Sequence, residues 1–354
     1  MTYRGRLAAF DEALSDAYGG SVALSANGLV MAVGAFAWEG TVTNQGVAYI
    51  YDWLGGTWAP RGSVLVSPAP VFAAYYGKSV ALSSDGLVLA VGVDRWGTIT
   101  DDRGGVYIYD WSGSAWVQRG DVLQASDGAA GDYFGKVAFA NNGLTLVVGA
   151  QGWEDGATSG IGGVYIYDWS GSAWVQRGSV LKAADAAASD AFGSGVGISE
   201  DGLVLVVGAQ GRDGGGYSTK GGVYTFDWSG GAWVQRGSVL APSEGTGIYF
   251  GASASLSGDG ASLVVGATYW DGELADQGAA YIYDLSGSSW IQSGSTLTSP
   301  APVASARFGS GVALSGTGGV LAVGAYVDSG SGAVYTWDVL PPAFWTNLFG
   351  QREA

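Results

Sequence analysis

The sequence predicts an all-β fold, a six-bladed β-propeller with four antiparallel strands in each blade. Two observations predict it. Of the 354 residues, 63 are Gly and 15 are Trp while only 13% are charged, which suits tight turns around a large core and fits neither disorder nor a helical bundle. In addition, an aromatic residue followed by Gly recurs, with the glycines 58 residues apart, at Gly19, Gly77, Gly135, Gly193, Gly251 and Gly309. A fixed period of this length is typical of repeated supersecondary units.

Each unit contains four runs that we predict as strands, as the unit beginning at Tyr76 illustrates. Apolar and alternating runs predict the first strand over 79–83, the second over 87–92, the third over 105–111 and the fourth over 116–120. A longer, variable loop separates the second strand from the third. The first two strands are separated by dipeptides typical of type I′ hairpins, namely Asn27-Gly28, Asp85-Gly86, Asn142-Gly143, Asp201-Gly202 and Asp259-Gly260.

The two ends of the chain are predicted to meet in the last blade. Repeats start near residues 18, 76, 134, 192, 250 and 308, and the propeller occupies residues 1–339. The last unit has a third strand but no clear fourth, whereas residues 3–7 resemble the fourth-strand pattern of residues 58–65. We therefore expect residues 1–8 to complete the last blade and close the ring, with Phe344-Trp345 as the alternative source of that strand. Residues 340–354 are predicted to form a C-terminal tail.

Composition limits the chemistry. The chain has no Cys and no His, which excludes disulfides, thiol nucleophiles and His-based catalysis and makes a cofactor or metal unexpected. Its 15 Lys and Arg against 31 Asp and Glu give a formal charge of −16, so we expect no nucleic-acid partner. No apolar run reaches the length of a membrane span, and no signal peptide is seen at the N-terminus. We expect no membrane insertion.

One unit shows a family resemblance. The run Phe192-Gly193-Ser194-Gly195-Val196, followed by the strands at 205–209 and 221–224, resembles the FG-GAP repeat, which builds the β-propeller of integrin α subunits and of many bacterial, algal and viral surface proteins. The resemblance covers all six units and implies a non-enzymatic adhesion or recognition propeller. Many family members carry a calcium loop between the first two strands. Here that connection is only Ser84-Asp85-Gly86, too short to supply about six to eight oxygen ligands, so we predict no metal site.

Two kinds of residue that recur between blades have structural interpretations. An Asp ends each third strand, and we expect its carboxylate to cap the N–H groups of the following turn; it occupies positions 52, 110, 168, 227, 284 and 338. An Arg recurs on the outer strand at positions 61, 119, 177 and 236. There we expect it to protect an exposed sheet edge from aggregation.

The candidate binding residues lie in the long loops between second and third strands. Because strands alternate in direction, these loops and the loops between blades share one face. Four residues past the strand-ending Gly, four blades have Trp and the other two have Arg212 and Asp328. Trp beside carboxylates is typical of sites that stack on sugars or contact proteins. A structural role, in which each indole packs over the end of its own blade, is equally compatible with the pattern. The candidate ligand-binding residues are Trp38, Trp96, Trp153, Arg212, Tyr269 and Trp270.

Three functions compete. We favour a non-catalytic adhesion propeller whose long-loop face binds a glycan or protein receptor, expected in the virion as a phage tail or capsid-surface protein, or outside the cell after lysis. The alternative is an architectural protein that docks on virion subunits through Phe344, Trp345, Leu348 and Phe349. The third is a sialidase-like glycoside hydrolase, but its Ser-x-Asp-x-Gly-x-x-Trp box is not matched. We therefore expect this protein to have no enzymatic activity.

Overall fold

The computed structural model describes residues 1–10, 16–69, 72–96, 101–212, 219–242 and 247–339. The predicted six-bladed β-propeller is confirmed: the described residues form six antiparallel sheets of four strands, one of which carries a short additional strand. Blades one to six are numbered in chain order from the first aromatic-Gly repeat.

The four strands of a blade follow one another from the channel outwards. The innermost strands are β2 (Tyr18–Leu24), β7 (Tyr76–Leu82), β11 (Phe134–Ala140), β15 (Phe192–Ile198), β19 (Phe250–Leu256) and β23 (Phe308–Leu314). The second strands are β3 (Val30–Ala35), β8 (Val88–Val93), β12 (Thr145–Ala150), β16 (Val204–Ala209), β20 (Ser262–Ala267) and β24 (Val320–Ala325). Their aliphatic side chains are almost fully buried, because both faces of each sheet are covered by neighbouring blades.

The third and fourth strands lie towards the outside. The third strands are β4 (Val47–Trp53), β9 (Gly105–Trp111), β13 (Gly163–Trp169), β17 (Gly222–Trp228), β21 (Ala279–Ser286) and β25 (Ala333–Asp338). The outer strands are β5 (Trp58–Pro60), β10 (Trp116–Gln118), β14 (Trp174–Gln176), β18 (Trp233–Gln235), β22 (Ser289–Gln292) and β1 (Thr2–Leu7). Strand β6 (Leu65–Val66) also pairs with β4, and 3-10 turns span Asn141–Gly143 and Asp328–Gly330.

The N-terminal strand closes the ring, as the sequence predicted. Strand β1 pairs antiparallel with β25, from Thr2 opposite Asp338 to Leu7 opposite Val334. Blade six is therefore built from both ends of the propeller. The alternative source of this strand, Phe344-Trp345, lies outside the described residues.

The repeated glycines set the distance between blades. A Cβ placed on Gly208 of a second strand would lie 1.9 Å from the carbonyl oxygen of Gly251, the motif glycine of the next blade. The five other junctions repeat this approach at 1.9–2.2 Å, between Gly34 and Gly77, Gly92 and Gly135, Gly149 and Gly193, Gly266 and Gly309, and Gly324 and Gly19. Glycine is therefore required at the second-strand position of each pair, where the two backbones touch.

The predicted type I′ turn is wrong at four of the five hairpins, and side-chain hydrogen bonding is the reason. The Asn or Asp before the turn glycine lacks positive φ at positions 27, 85, 201 and 259, and the first hairpin is typical. Gly28 has a φ of 66°, but Asn27 does not adopt positive φ. Instead, Oδ1 of Asn27 accepts the N–H of Leu29 at 2.9 Å and the hydroxyl of Ser25 at 2.8 Å. These bonds replace the second left-handed residue that a type I′ turn needs. At Asn142-Gly143, by contrast, both residues do have positive φ.

The expected capping role of the strand-ending Asp residues is also wrong. Asp168, for example, accepts two hydrogen bonds from the guanidinium of Arg177 on the outer strand of the same blade. Equivalent ion pairs join Arg4 to Asp338, Arg61 to Asp52, Arg119 to Asp110 and Arg236 to Asp227. The Arg177 guanidinium also lies 5.5 Å from the ring centroid of Trp228 in the next blade, close enough for a cation–π contact. The pairs thus contribute to blade-to-blade packing.

Candidate functional site

The four loop tryptophans pack against their own blades. Trp38, Trp96, Trp153 and Trp270 are half-buried and each contacts the core of a blade. A Cβ on Gly163, the first residue of β13, would lie 3.1 Å from the Trp153 indole. The Trp96 indole N–H donates to the hydroxyl of Tyr107 at 3.3 Å. The rings therefore have a packing role, and their contact with a ligand stays a prediction.

The two other candidate residues are placed differently. Arg212 donates to the hydroxyl of Tyr224 at 3.1 Å and forms an ion pair with Asp185 at 3.2 Å. Tyr269 stacks against Tyr249, with ring centroids 4.6 Å apart. Among the described residues, Tyr269 is the one of the six candidates that lines a cavity at the propeller axis. The candidate residues therefore do not form one cluster.

The candidate docking residues of the tail, Phe344, Trp345, Leu348 and Phe349, lie outside the described residues. Within the described part of the chain, no three acidic side chains group as metal ligands would. No helix there is both long and apolar enough to cross a membrane.

A cavity of about 250 Å³ lies where the central channel opens on the long-loop face; we call it the channel mouth. Two rings of side chains line it. The third residues of the innermost strands form one ring: Gly20, Lys78, Lys136, Ser194, Ala252 and Ser310. The residues that follow the second strands form the other: Phe36, Asp94, Gln151, Gln210, Thr268 and Tyr326. Tyr249 and Tyr269 complete the lining. Below it, the channel is narrow and lined mainly by small side chains, with a volume of about 140 Å³.

The six blades contribute different chemistry to the channel mouth. Blades two and three supply its charged groups, Lys78, Asp94 and Lys136. Blades one, five and six supply aromatic rings, with the centroids of Phe36 and Tyr326 5.6 Å apart. Sequence reasoning missed this site although a signal exists: the residue after each aromatic-Gly pair changes between blades while the pair itself repeats.

The charged groups at the channel mouth are held in a desolvated setting. Asp94 is only 5% exposed, and its Oδ1 has no hydrogen-bond partner among the described residues. Burial raises the pKa of the Asp94 carboxyl, and the positive charges of Lys78 and Lys136 oppose that shift. Burial also lowers the pKa of Lys78 to about 8. The Lys78 ammonium lies 3.6 Å from the ring centroid of Phe36, a contact that partly replaces water around the cation.

The shifted pKa of Lys78 predicts a pH-dependent stability. Its pKa is about 8 when folded, against an ordinary 10.5, so between these values the unfolded chain binds more protons and stability rises with pH. Asp94, Lys136 and Arg95 also act on this group. In denaturant unfolding at pH 7 to 9.5, we expect wild type to gain stability relative to Lys78→Met as pH rises through 8. Parallel curves would show that Lys78 titrates normally.

The comparisons with known proteins support the repeat assignment. Residues 2–51, 116–167, 174–226, 233–283 and 292–337 match the FG-GAP repeat family. No curated protein sequence matches the chain significantly. Among solved structures, a chain of Kuenenia stuttgartiensis hydrazine synthase is similar at 14% identity and a TM-score of 0.50, over 90% of this chain and 76% of that one. This similarity concerns the fold alone. Because the matched repeats cover most of its length, the chain belongs to the FG-GAP repeat family.

Proposed function

We propose that this protein is a non-catalytic recognition propeller that binds a glycan or protein receptor at the channel mouth, on the long-loop face. The observation that carries the proposal is the mixed chemistry of that cavity, in which blades two and three supply Lys78, Asp94 and Lys136 and the other lining includes the aromatic rings of blades one, five and six. Residues that repeat in every blade serve the architecture. Residues that differ between blades at equivalent positions around one opening instead indicate a binding site whose ligand contacts several blades at once.

The lining of the cavity supports binding rather than hydrolysis. Asp94 is the one carboxylate among the described residues that line it. Glycoside hydrolysis ordinarily uses a pair of carboxyl groups on either side of the scissile bond, and the channel mouth offers no second one from the described part of the chain. Its amide and hydroxyl groups, on Gln151, Gln210 and Thr268, instead suit hydrogen bonding to a ligand.

Filling the channel mouth is expected to abolish recognition. Gln210 is partly exposed, and among the described residues its side chain makes only a 3.4 Å hydrogen bond to Gln151. Gln210→Trp therefore places an indole in the cavity with little structural cost. On a glycan and protein-receptor array, we expect wild type to bind selectively and Gln210→Trp to lose that binding. Gln118→Trp, on the exposed outer strand β10, is the matched control. Binding retained by folded Gln210→Trp would refute the proposed site.

The proposed setting is a virus particle, as a phage tail or capsid-surface component, and docking of the tail residues 340–354 on other subunits stays a second proposal. Family membership supports recognition at a surface without selecting the particle. Mass spectrometry of purified virus particles checks the setting: the chain is expected among their structural proteins, and its absence from them would remove this part of the proposal.

A further inference from the structure

The two lysines at the channel mouth are unusual for this chain. The sequence contains only four lysines, Lys78, Lys136, Lys182 and Lys220, in a chain of charge −16. Two of them line one cavity at the propeller axis. Lys182, by contrast, pairs with Asp155 at 2.8 Å on the exposed rim, whereas neither Lys78 nor Lys136 forms an ion pair with any described residue. With Asp94, the cavity carries a local charge of about +1 when all three are ionised.

This arrangement favours an anionic group in the ligand. Both lysines are partly buried, burial lowers the pKa of each, and neither ammonium has a carboxylate at contact distance among the described residues. A carboxylate from a ligand would supply charge-assisted hydrogen bonds to both, and such bonds are about twice as strong as neutral ones. A metal cation is disfavoured by the same two charges.

The other residues that line the cavity indicate that the ligand is more than a simple anion. Oδ1 of Asp94 is buried and lacks a described hydrogen-bond donor, so it can accept a hydroxyl from a ligand whose anionic end lies at the lysines. Gln151, Gln210 and Thr268 add further polar groups around the opening. A chloride or sulfate ion carries no hydroxyl for Asp94 and would be repelled by its charge. A polyhydroxylated ligand with one negative group satisfies both requirements.

The aromatic part of the lining favours a ligand with an apolar face. Tyr249 and Tyr269 pack with centroids 4.6 Å apart, and Phe36 and Tyr326 lie 5.6 Å apart. Aromatic rings with polar tips pack on apolar surface while their hydroxyls stay hydrated, which suits the C–H face of a sugar ring. The volume of about 250 Å³ is below the ~300–1,000 Å³ of pockets for drug-sized ligands. It therefore suits one sugar residue.

We infer that the channel mouth binds a carboxylated sugar residue, with the carboxylate at Lys78 and Lys136, a hydroxyl at Asp94 and the ring against the tyrosine side of the cavity. This rests on the proposed function and narrows it from a general receptor to an acidic glycan. The ligand then contacts blades two, three and five, at positions where these blades differ from one another.

Calorimetric titration tests the inference. The probes are the methyl glycosides of glucuronic, galacturonic and N-acetylneuraminic acid, each beside its methyl ester, in which a methyl group replaces the charge. We expect at least one acid to bind, with its ester at least tenfold weaker. Lys78→Met and Lys136→Met are expected to weaken the acid at least tenfold each, and Lys182→Met to leave it unchanged. Thermal melting confirms that the variants are folded.

The possible contrary results separate the acidic ligand class from the proposed function. Equal binding of acid and ester, or inorganic phosphate binding as tightly as the acid, would overturn the inference, and so would failure of all three acids to bind. If the array still shows a neutral ligand that Gln210→Trp blocks, the proposed function stands and only the acidic ligand class falls. If Gln210→Trp blocks nothing on the array, the proposed function itself falls.

Discussion

Gly208→Ala is expected to destabilise the propeller by about 3 kcal/mol or more, because its new Cβ has no space. That Cβ would lie 1.9 Å from the carbonyl oxygen of Gly251 and 2.8 Å from its carbonyl carbon. Both atoms are backbone, so relief requires blades four and five to move apart rather than a side chain to rotate. Overpacking of a core typically costs about 1–3 kcal/mol, and backbone contacts belong at the upper end or beyond. Denaturant unfolding followed by Trp fluorescence measures the loss.

Gly231→Ala is the matched control in the same blade. Gly231 has no atom within 4 Å of its Cβ position and no positive φ, so this substitution is expected to change the free energy of unfolding by less than about 0.5 kcal/mol. If Gly208→Ala were as stable as Gly231→Ala, the blade junctions would not depend on contact between glycine backbones.

Removal of residues 1–8 is expected to have the larger effect, a loss of about 5 kcal/mol or more. Strand β1 carries Arg6, whose partner Asp328 is 2% exposed. Leaving a buried charge without its partner costs up to about 3–5 kcal/mol, although the Tyr335 hydroxyl still donates to Asp328 at 2.6 Å; loss of the pairing with β25 adds to this cost. Loss of the strand also uncovers Trp337, whose ring centroid lies 5.7 Å from that of Tyr3. Since stabilities of native proteins are about 5–15 kcal/mol, thermal melting should show a drop of the midpoint by about 10 °C or more.

A peptide of residues 1–9 supplied in trans provides the control for this truncation. We expect it to restore the melting midpoint in a concentration-dependent way, because it rebuilds the antiparallel pairing with β25. A peptide with Arg4→Ala and Arg6→Ala should restore less. A truncated chain that melts like wild type would mean that β1 is dispensable for ring closure.

The fold was predictable because its determinants recur in sequence. The 58-residue spacing of the motif glycines gives the number of blades, and residues 3–7 repeat the fourth-strand pattern that β1 adopts. Backbone contact at the blade junctions explains why that spacing is strict. The turn geometry was less predictable, since Asn27 forms side-chain hydrogen bonds that make a second left-handed residue unnecessary.

The candidate site was predictable only in part. The long-loop face and Tyr269 were predicted from the sequence. Large residues that recur between blades were preferred as candidates, but such residues tend to occupy packing positions, as Trp153 does. Lys78 and Lys136 were overlooked because they are 58 residues apart, and only ring closure brings equivalent positions of separate blades to one axis. The pairing of Asp168 with Arg177 was likewise hidden, because it depends on strand register.

A crystal structure of the protein with its strongest array ligand would locate the binding site. We expect ligand density in the channel mouth, in contact with Lys78, Asp94 or Lys136 and with Tyr249 or Tyr269. Ligand density confined to the outer strands, or stacked on Trp38, Trp96, Trp153 or Trp270 away from the axis, would contradict this expectation.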